Sequence, residues 1–466
     1  CRITPKNPFD IENQWPRIYL VNVPPDSSHL PHAPIVYWYG ADPDGYIIAY
    51  QWAIDDTSTW NTLWVDSGMG TEDTIAFAAP LPDTEFTHVF YVRSMDNDTA
   101  VTDPCCIGHR VFHVGNIPPV NTTIEEGPED SATIFVISDT IATWSGVHFE
   151  WSTEDSDQVF APQFSWKWDG GAWSTWDEAE EMYFTGNDDP ALGTTGWHTF
   201  HLRARDDATA IDTTQPQRTI YVSVPTFSEP LLVIDETSNE PGLPGLPNDQ
   251  QVDDFYKLVL DNAGWQGFDT VDNSAESGLV HHDVIGQYRM VLVHSDDIRT
   301  QTAPEFATLK NYLEVGGRLF YSGKGVFTRF NELDGAFLRN FMGVDSSKVN
   351  EASDFVGAIP FEPESLYPYL EVDTLKILAA WGGAARDVGI LYPTNVFNAI
   401  HTYDSRSDSV DFEGQGAVIF KFDYDVDDDV TFKSAMSSFP LYWIEVDASG
   451  DSLAVAMKKM LDWLND

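Results

Sequence analysis

Polar and apolar residues alternate along the first half of the chain. The runs Ile47-Ile48-Ala49-Tyr50-Gln51-Trp52-Ala53-Ile54 and His88-Val89-Phe90-Tyr91-Val92-Arg93-Ser94-Met95 predict strands with one buried face. Turn residues separate them at short spacing, as in a sandwich. Near residue 228 the pattern changes. Leu231-Leu232-Val233-Ile234-Asp235 is a continuous apolar run, predicted as a buried parallel strand. After a Gly/Pro segment from Glu240 to Pro247, residues 249–262 place Val252, Phe255, Tyr256, Val259 and Leu260 on one helical face, and Gly264 ends that helix. Residues 288–294, 318–323, 416–422 and 439–444 predict further strands. Residues 303–314 and 452–464 predict helices, and extra strands are expected between 345 and 415. Strand–helix alternation of this kind predicts a mostly parallel sheet covered on both faces.

An internal repeat sets the organisation. THVFYVRSMDNDTAVTD from Thr87 aligns with WHTFHLRARDDATAIDT from Trp197, pairing Phe90 with Phe200, Arg93 with Arg203 and Asp96 with Asp206. Upstream, Tyr50-Gln51-Trp52 parallels Phe164-Ser165-Trp166. The expected order is a tether over 1–16, two Ig-like sandwiches over 17–116 and 117–227, and an α/β flavodoxin-like domain over 228–466.

The first two units resemble bacterial fibronectin-type-III or PKD-like surface modules. Tyr39-Gly40-Ala41-Asp42-Pro43-Asp44-Gly45 and the VRSMDND and LRARDDA strands carry the resemblance. The last unit resembles the class I glutamine-amidotransferase-like domains of bacterial surface proteins, through LLVIDE, YRMVLVHSDD and LKNYLEVGGRLFYSGKGVF. That resemblance implies a Cys nucleophile on the turn after the third-strand equivalent. Here the turn reads Ser322-Gly323-Lys324-Gly325, and no Cys follows Cys106, so a Cys–His amidase is excluded.

Composition narrows the function. With 74 acidic and 25 basic residues the net charge is −49, which argues against nucleic acid. No apolar run is long enough to span a bilayer. The first residue is Cys1, and a Cys before a polar, Pro-containing stretch resembles a processed bacterial lipoprotein. A lipid on Cys1 is then the expected membrane link, and an outer-membrane or extracellular setting the expected location.

Candidate sites follow from residue type. Cys105 and Cys106 are a vicinal disulfide, two free thiols or a bridge to another chain. Loop carboxylates Asp42, Asp44, Asp96 and Asp98, with Asp206 and Asp207 in the second unit, have the chemistry for calcium; the competing reading is Asx-turns. Trp144, Trp151, Trp166, Trp168, Trp173, Trp176 and Trp197 read mainly as sandwich core. In the last unit, Asp235, Ser295, Asp296, Ser322, Lys324 and His401 are the candidates for a crevice at the strand carboxyl ends. Ser322 with His401 or His294 is a weak nucleophile–base pairing, lacking a G-x-S-x-G elbow. His281-His282-Asp283 reads as a surface loop, and residues 423–429 as an acidic loop.

The expected function is non-catalytic: an adhesive, scaffolding or filament-forming surface lipoprotein. Its expected partners are other surface proteins, glycans or further copies of itself. The alternative is a hydrolase or carbohydrate-binding protein using the crevice.

Overall fold

The computed structural model describes residues 13–466 except 22, 31, 66–70, 76, 78–85, 157, 159, 238–246, 274–279, 297–302, 326–334, 351–353, 362–366, 407–413, 415, 427–428 and 447–451. Cys1 and most of the expected tether lie outside the described residues. Two compact units emerge: residues 1–127, 149–182 and 199–218, and residues 128–148, 183–198 and 219–466.

In the first module, Arg17–Leu20, Ile35–Ala41 and Glu72–Thr74 form one sheet. Ser28–Leu30, Gly108–Val114, Phe86–Asp96, Ile47–Ile54 and Asn61–Trp64 form the other, in that order. Every second residue from His88 to Asp96 is buried, so the period-two pattern delivers one face to the core. That face carries Phe90 and Val92, which pack with Val36, Trp38 and Phe112.

The second module repeats this plan, with sheets ordered 133–135, 217–223, 196–205, 163–168 and 181–184, 147–154, 120–126. Tandem Ig-like modules are therefore present. Residues matched by the repeat hold matching places. Phe90 and Phe200 are both fully buried. Asp55 and Asp169 both take positive φ, at 61° and 48°. Their Oδ1 atoms accept from the amides of Val89 and Thr199.

The division between units runs through the second module. Several of that module's residues pack within the second unit. Phe135 joins the apolar cluster of Ile285 and Tyr312. The Thr143 hydroxyl donates to Glu314 O at 2.7 Å, and the Tyr221 hydroxyl donates to Asp283.

The second unit is built on one eleven-stranded sheet. Its strands are β1 (Glu229–Asp235), β2 (Asp269–Asp272), β3 (Tyr288–Ser295), β4 (Arg318–Gly323), β5 (Val344–Asn350), β6 (Phe355–Pro360), β7 (Leu370–Glu371), β8 (Val388–Pro393), β9 (Ala399–Ser405), β10 (Ala417–Val426) and β11 (Asp429–Ser437). The order is β2-β1-β3-β4-β11-β10-β9-β6-β7, with β5 on β8 and β8 on β10. The five strands from β2 to β11 pair in parallel. From β11 outward the pairings are antiparallel. The sheet is thus mixed rather than mostly parallel, because the extra strands expected between 345 and 415 join it in antiparallel pairings.

Helices α1 (Asp249–Asn262), α2 (His282–Ile285), α3 (Ala303–Glu314), α4 (Gly335–Met342), α5 (Thr374–Ala380) and α6 (Ser452–Asn465) complete the unit. Alternate residues of β1 serve opposite faces. Leu231 and Val233 pack with α1 and α6; Leu232 and Ile234 pack with α3 and α4. Gly264 sits just past α1 with φ +82°, as expected of its stop.

Three local expectations fail. Residues 439–444 form a buried segment with a 3-10 turn at Leu441–Trp443, not a strand; Pro440 has no N–H for a ladder. Most of the 423–429 stretch is strand, closing the β10–β11 hairpin with Asp425 opposite Val430. His281 caps α2 and His282 is buried, so 281–283 is no surface loop.

Candidate functional site

Parallel register brings the strand ends of the second unit together. Asp235 of β1 lies opposite His294 of β3, His294 opposite Ser322 of β4, and Ser322 opposite Ser437 of β11. Helix α1 crosses this line and supplies Asp253 and Tyr256. The sequence candidates Asp235, Ser295, Asp296 and Ser322 therefore meet, and Lys324 is tied in through its amide, which donates to Ser295 O at 2.8 Å.

The polar groups are sealed: Asp235, Glu236, His294, Ser295, Asp296 and Ser322 are each at most 3% exposed. His294 Nδ1 lies 3.1 Å from Asp296 Oδ2 and 3.4 Å from Asp235 Oδ1. Both neighbours are acceptors, so Nδ1 carries the proton. The imidazole stacks on Tyr256 at 3.9 Å. The Tyr256 hydroxyl donates to Asp296 Oδ1 at 3.2 Å and lies 3.4 Å from Ser322 Oγ. Ser322 Oγ accepts from the Leu441 amide at 3.2 Å and donates to Phe439 O at 3.5 Å. Its hydrogen-bond partners are thus a phenol and backbone, with no imidazole among them, and a nucleophile needs a base in that position.

Electrostatics follow from burial. Asp235 is pushed up to about 7 by desolvation, against the pull of His294 and with a push from Asp253. Burial disfavours the His294 cation, but the bond to Asp296 and the charges of Asp235, Asp296 and Asp253 raise its pKa overall. Tyr256 is raised well above its ordinary value, chiefly by burial and then by Asp296.

His401 does not join. It sits on β9, buried, with Nε2 2.8 Å from Pro368 O, and burial pushes it down to about 4. The sequence reading missed Tyr256 as a polar group, because its helical spacing marked it as core. Asp253 and Glu236 also escaped notice; the Tyr321 hydroxyl donates to Glu236 Oε2 at 2.7 Å.

For cations, Asp235, Asp249 and Asp253 each place an oxygen within 4.8 Å of the others, the one such acidic trio among the described residues. The calcium candidates of the modules are mostly engaged with their own backbone. Asp96 Oδ1 accepts from the amides of Asp98 and Ala100, and Oδ2 from Asn13. Asp206 accepts likewise from Ala210 N and Asn116. Asp207 accepts from the Phe160 amide and pairs with His32 at 3.0 Å. Asp98 is exposed. Both Asp42 oxygens are shielded from solvent, and Asp42 bonds to the backbone and side chain of Asp44. Burial, Asp44 and Asp96 raise its pKa.

Cys105 and Cys106 are free, exposed thiols with sulfurs 3.0 Å apart. The tryptophans divide. Trp151 and Trp168 are core, whereas Trp173 and Trp176 stack on Arg203 at 4.1 and 4.6 Å. The repeat keeps that arrangement, since Arg93 covers Trp60 at 4.0 Å.

No protein-family model matches the sequence, and no curated protein does. Solved structures with slight likeness include the fibronectin(III)-like modules of Clostridium thermocellum CbhA, at 12% identity and TM-score 0.20, covering 44% of this chain and 94% of that one. The PKD1 domain of Vibrio anguillarum Epp follows at 16% identity and TM-score 0.15, covering 23% of this chain and 100% of that one. A 1.5-MDa bacterial ice-binding adhesin shows 9% identity and TM-score 0.17, covering 48% of this chain and 73% of that one. Scores this low carry no functional argument; the sandwich fold rests on the strand pairing above.

Proposed function

We propose that the chain is a non-catalytic component of a bacterial cell surface or extracellular matrix, with an adhesive or scaffolding role. In this reading two sandwich modules carry a flavodoxin-like domain of the amidotransferase-like kind, and Cys1 bears the lipid. The parallel order β2-β1-β3-β4-β11 supports the flavodoxin-like assignment. The observation that carries the functional reading is the sealed strand-end cluster. Its side chains bond one another and the backbone, which leaves Ser322 no route to substrate. The cluster then serves to fix the ends of four parallel strands.

Treating the full chain with a fluorophosphonate and mapping labelled peptides tests this. An unmodified Ser322 is expected; stoichiometric labelling there would overturn the reading. Mass spectrometry of the N-terminal peptide tests the anchor, with an acylated Cys1 expected.

Calcium belongs to the same proposal at Asp42 and Asp44 of the first module, on the strength of the shielded Asp42 oxygens beside the Asp44 carboxylate. Millimolar calcium is expected to raise the melting temperature, and Asp42→Asn to abolish that rise. An equal rise in the variant would remove calcium from this position.

A further inference from the structure

Away from the strand-end cluster, the antiparallel half of the second unit holds a cavity of about 210 Å³. It lies between β6, β7, α5 and the segment that follows α5. Phe355, Val356, Val372, Ile377 and Ala385 give it an apolar floor, while Glu371, Thr374 and Arg406 supply polar groups. Phe355, Val372, Ile377 and Ala385 are buried, whereas Glu371, Thr374 and Arg406 are exposed, so charge sits at the mouth and hydrocarbon at the base.

The frame is fixed. The Arg406 amide donates to Asp354 O and the Glu445 amide to Glu371 O, both at 2.8 Å. Val372 N donates to Val356 O at 3.0 Å, closing the floor. Asp373 caps α5 through the amides of Leu375 and Lys376. Gly383 takes φ +83° beside Leu378, which is 65% exposed.

Size and charge select the occupant. Pockets that enclose drug-sized ligands start near ~300 Å³, so this cavity takes something smaller. Its mouth offers one cation and one anion, and among the described residues neither Arg406 nor Glu371 has an ion-pair partner. A neutral monosaccharide would leave both charges unanswered. A simple anion would leave Glu371 opposed to it.

We infer that this cavity binds a free α-amino acid with an apolar side chain. The carboxylate pairs with Arg406, the ammonium with Glu371, and the side chain fills the Phe355–Val372–Ile377 floor. Such charge-assisted contacts hold orientation while the floor supplies affinity. This goes beyond the scaffolding role, because it makes the antiparallel half a small-molecule receptor.

Calorimetric titration of the full chain with leucine, 4-methylpentanoate and 3-methylbutylamine tests it. Leucine is expected to bind at least about tenfold more tightly than either analogue, which lacks one charge. Arg406→Gln should weaken leucine and 4-methylpentanoate while leaving 3-methylbutylamine unchanged; Glu371→Gln should do the reverse for the two analogues. Both residues are exposed, so the variants keep the fold, which circular dichroism checks. The inference is overturned by no binding of leucine, isoleucine, valine or phenylalanine at millimolar concentration. It is equally overturned by leucine binding that neither variant alters, or by binding confined to peptides.

Discussion

Two aspartates show how much one side chain can carry. Asp96 and Asp206 lie at corresponding places in the repeat, are almost completely buried, and accept from backbone amides two to four residues ahead. Each also accepts from an asparagine just ahead of its own module, Asn13 or Asn116. Thr99 and Thr209 take φ of 67° and 70° in the turns these aspartates close. Asp206→Ala should therefore leave buried amides without acceptors and cost about 2–3 kcal/mol in urea denaturation. The aspartates were legible as repeated positions. Their job was not, because an acidic residue in a turn reads equally as a metal ligand or as an Asx-turn.

Asp235 gives a prediction in pH. Its folded pKa is about 7, above the unfolded value near ~3.9. A raised carboxyl contributes stability that is fully present below the unfolded value and is lost as pH rises through the folded one. The raised His294 contributes in the same sense. Asp235 thus contributes a loss of stability between pH 4 and 7, opposed by the gain from the lowered His282 and His401, and Asp235→Asn should make stability rise more steeply with pH over that range in thermal melts. His282 runs the other way: burial, then His281, pushes it down to about 4. No sequence pattern announced this, because the ring is buried by contact with Phe135 at 4.5 Å, far away in sequence.

Among elements, helices were the most readable. The period-3.6 faces of α1 and α6 and the glycine after α1 fixed their limits to within a residue or two. The last parallel strand was misplaced. The apolar run at 439–444 reads as a strand, whereas β11 carries the polar Lys433, Ser434 and Ser437. These groups are bonded inside: Lys433 Nζ donates to Trp463 O at 2.7 Å and Ser437 Oγ to Phe439 O at 2.7 Å. Burial separates the helices energetically. Leu461→Ala in α6, at a fully buried position, should cost ~2–5 kcal/mol. Leu375→Ala in α5, at a position 75% exposed, should stay within ~0.5 kcal/mol. Chemical denaturation of the two variants makes the comparison.

At the scale of the molecule, the charge of −49 is carried on folded modules. Compact states concentrate such repulsion and salt screens it, so sodium chloride should raise the melting temperature of the intact chain. The repeat and the change of pattern near residue 228 made the modular plan readable. The cut through the second module was not, since it depends on which residues share a core.

The parallel pairings inside the modules have a mechanical consequence. In the first, Ser28–Leu30 near the entry pairs in parallel with Gly108–Val114 near the exit. In the second, Thr133–Phe135 pairs in parallel with Gln217–Ser223. Tension along the chain pulls such a pair in opposite directions along the strand axis. All its hydrogen bonds are then loaded together in shear, and none can be peeled singly. A module built this way holds its length under load until it gives way at once. Force spectroscopy of the intact chain should record abrupt, module-sized steps rather than gradual lengthening.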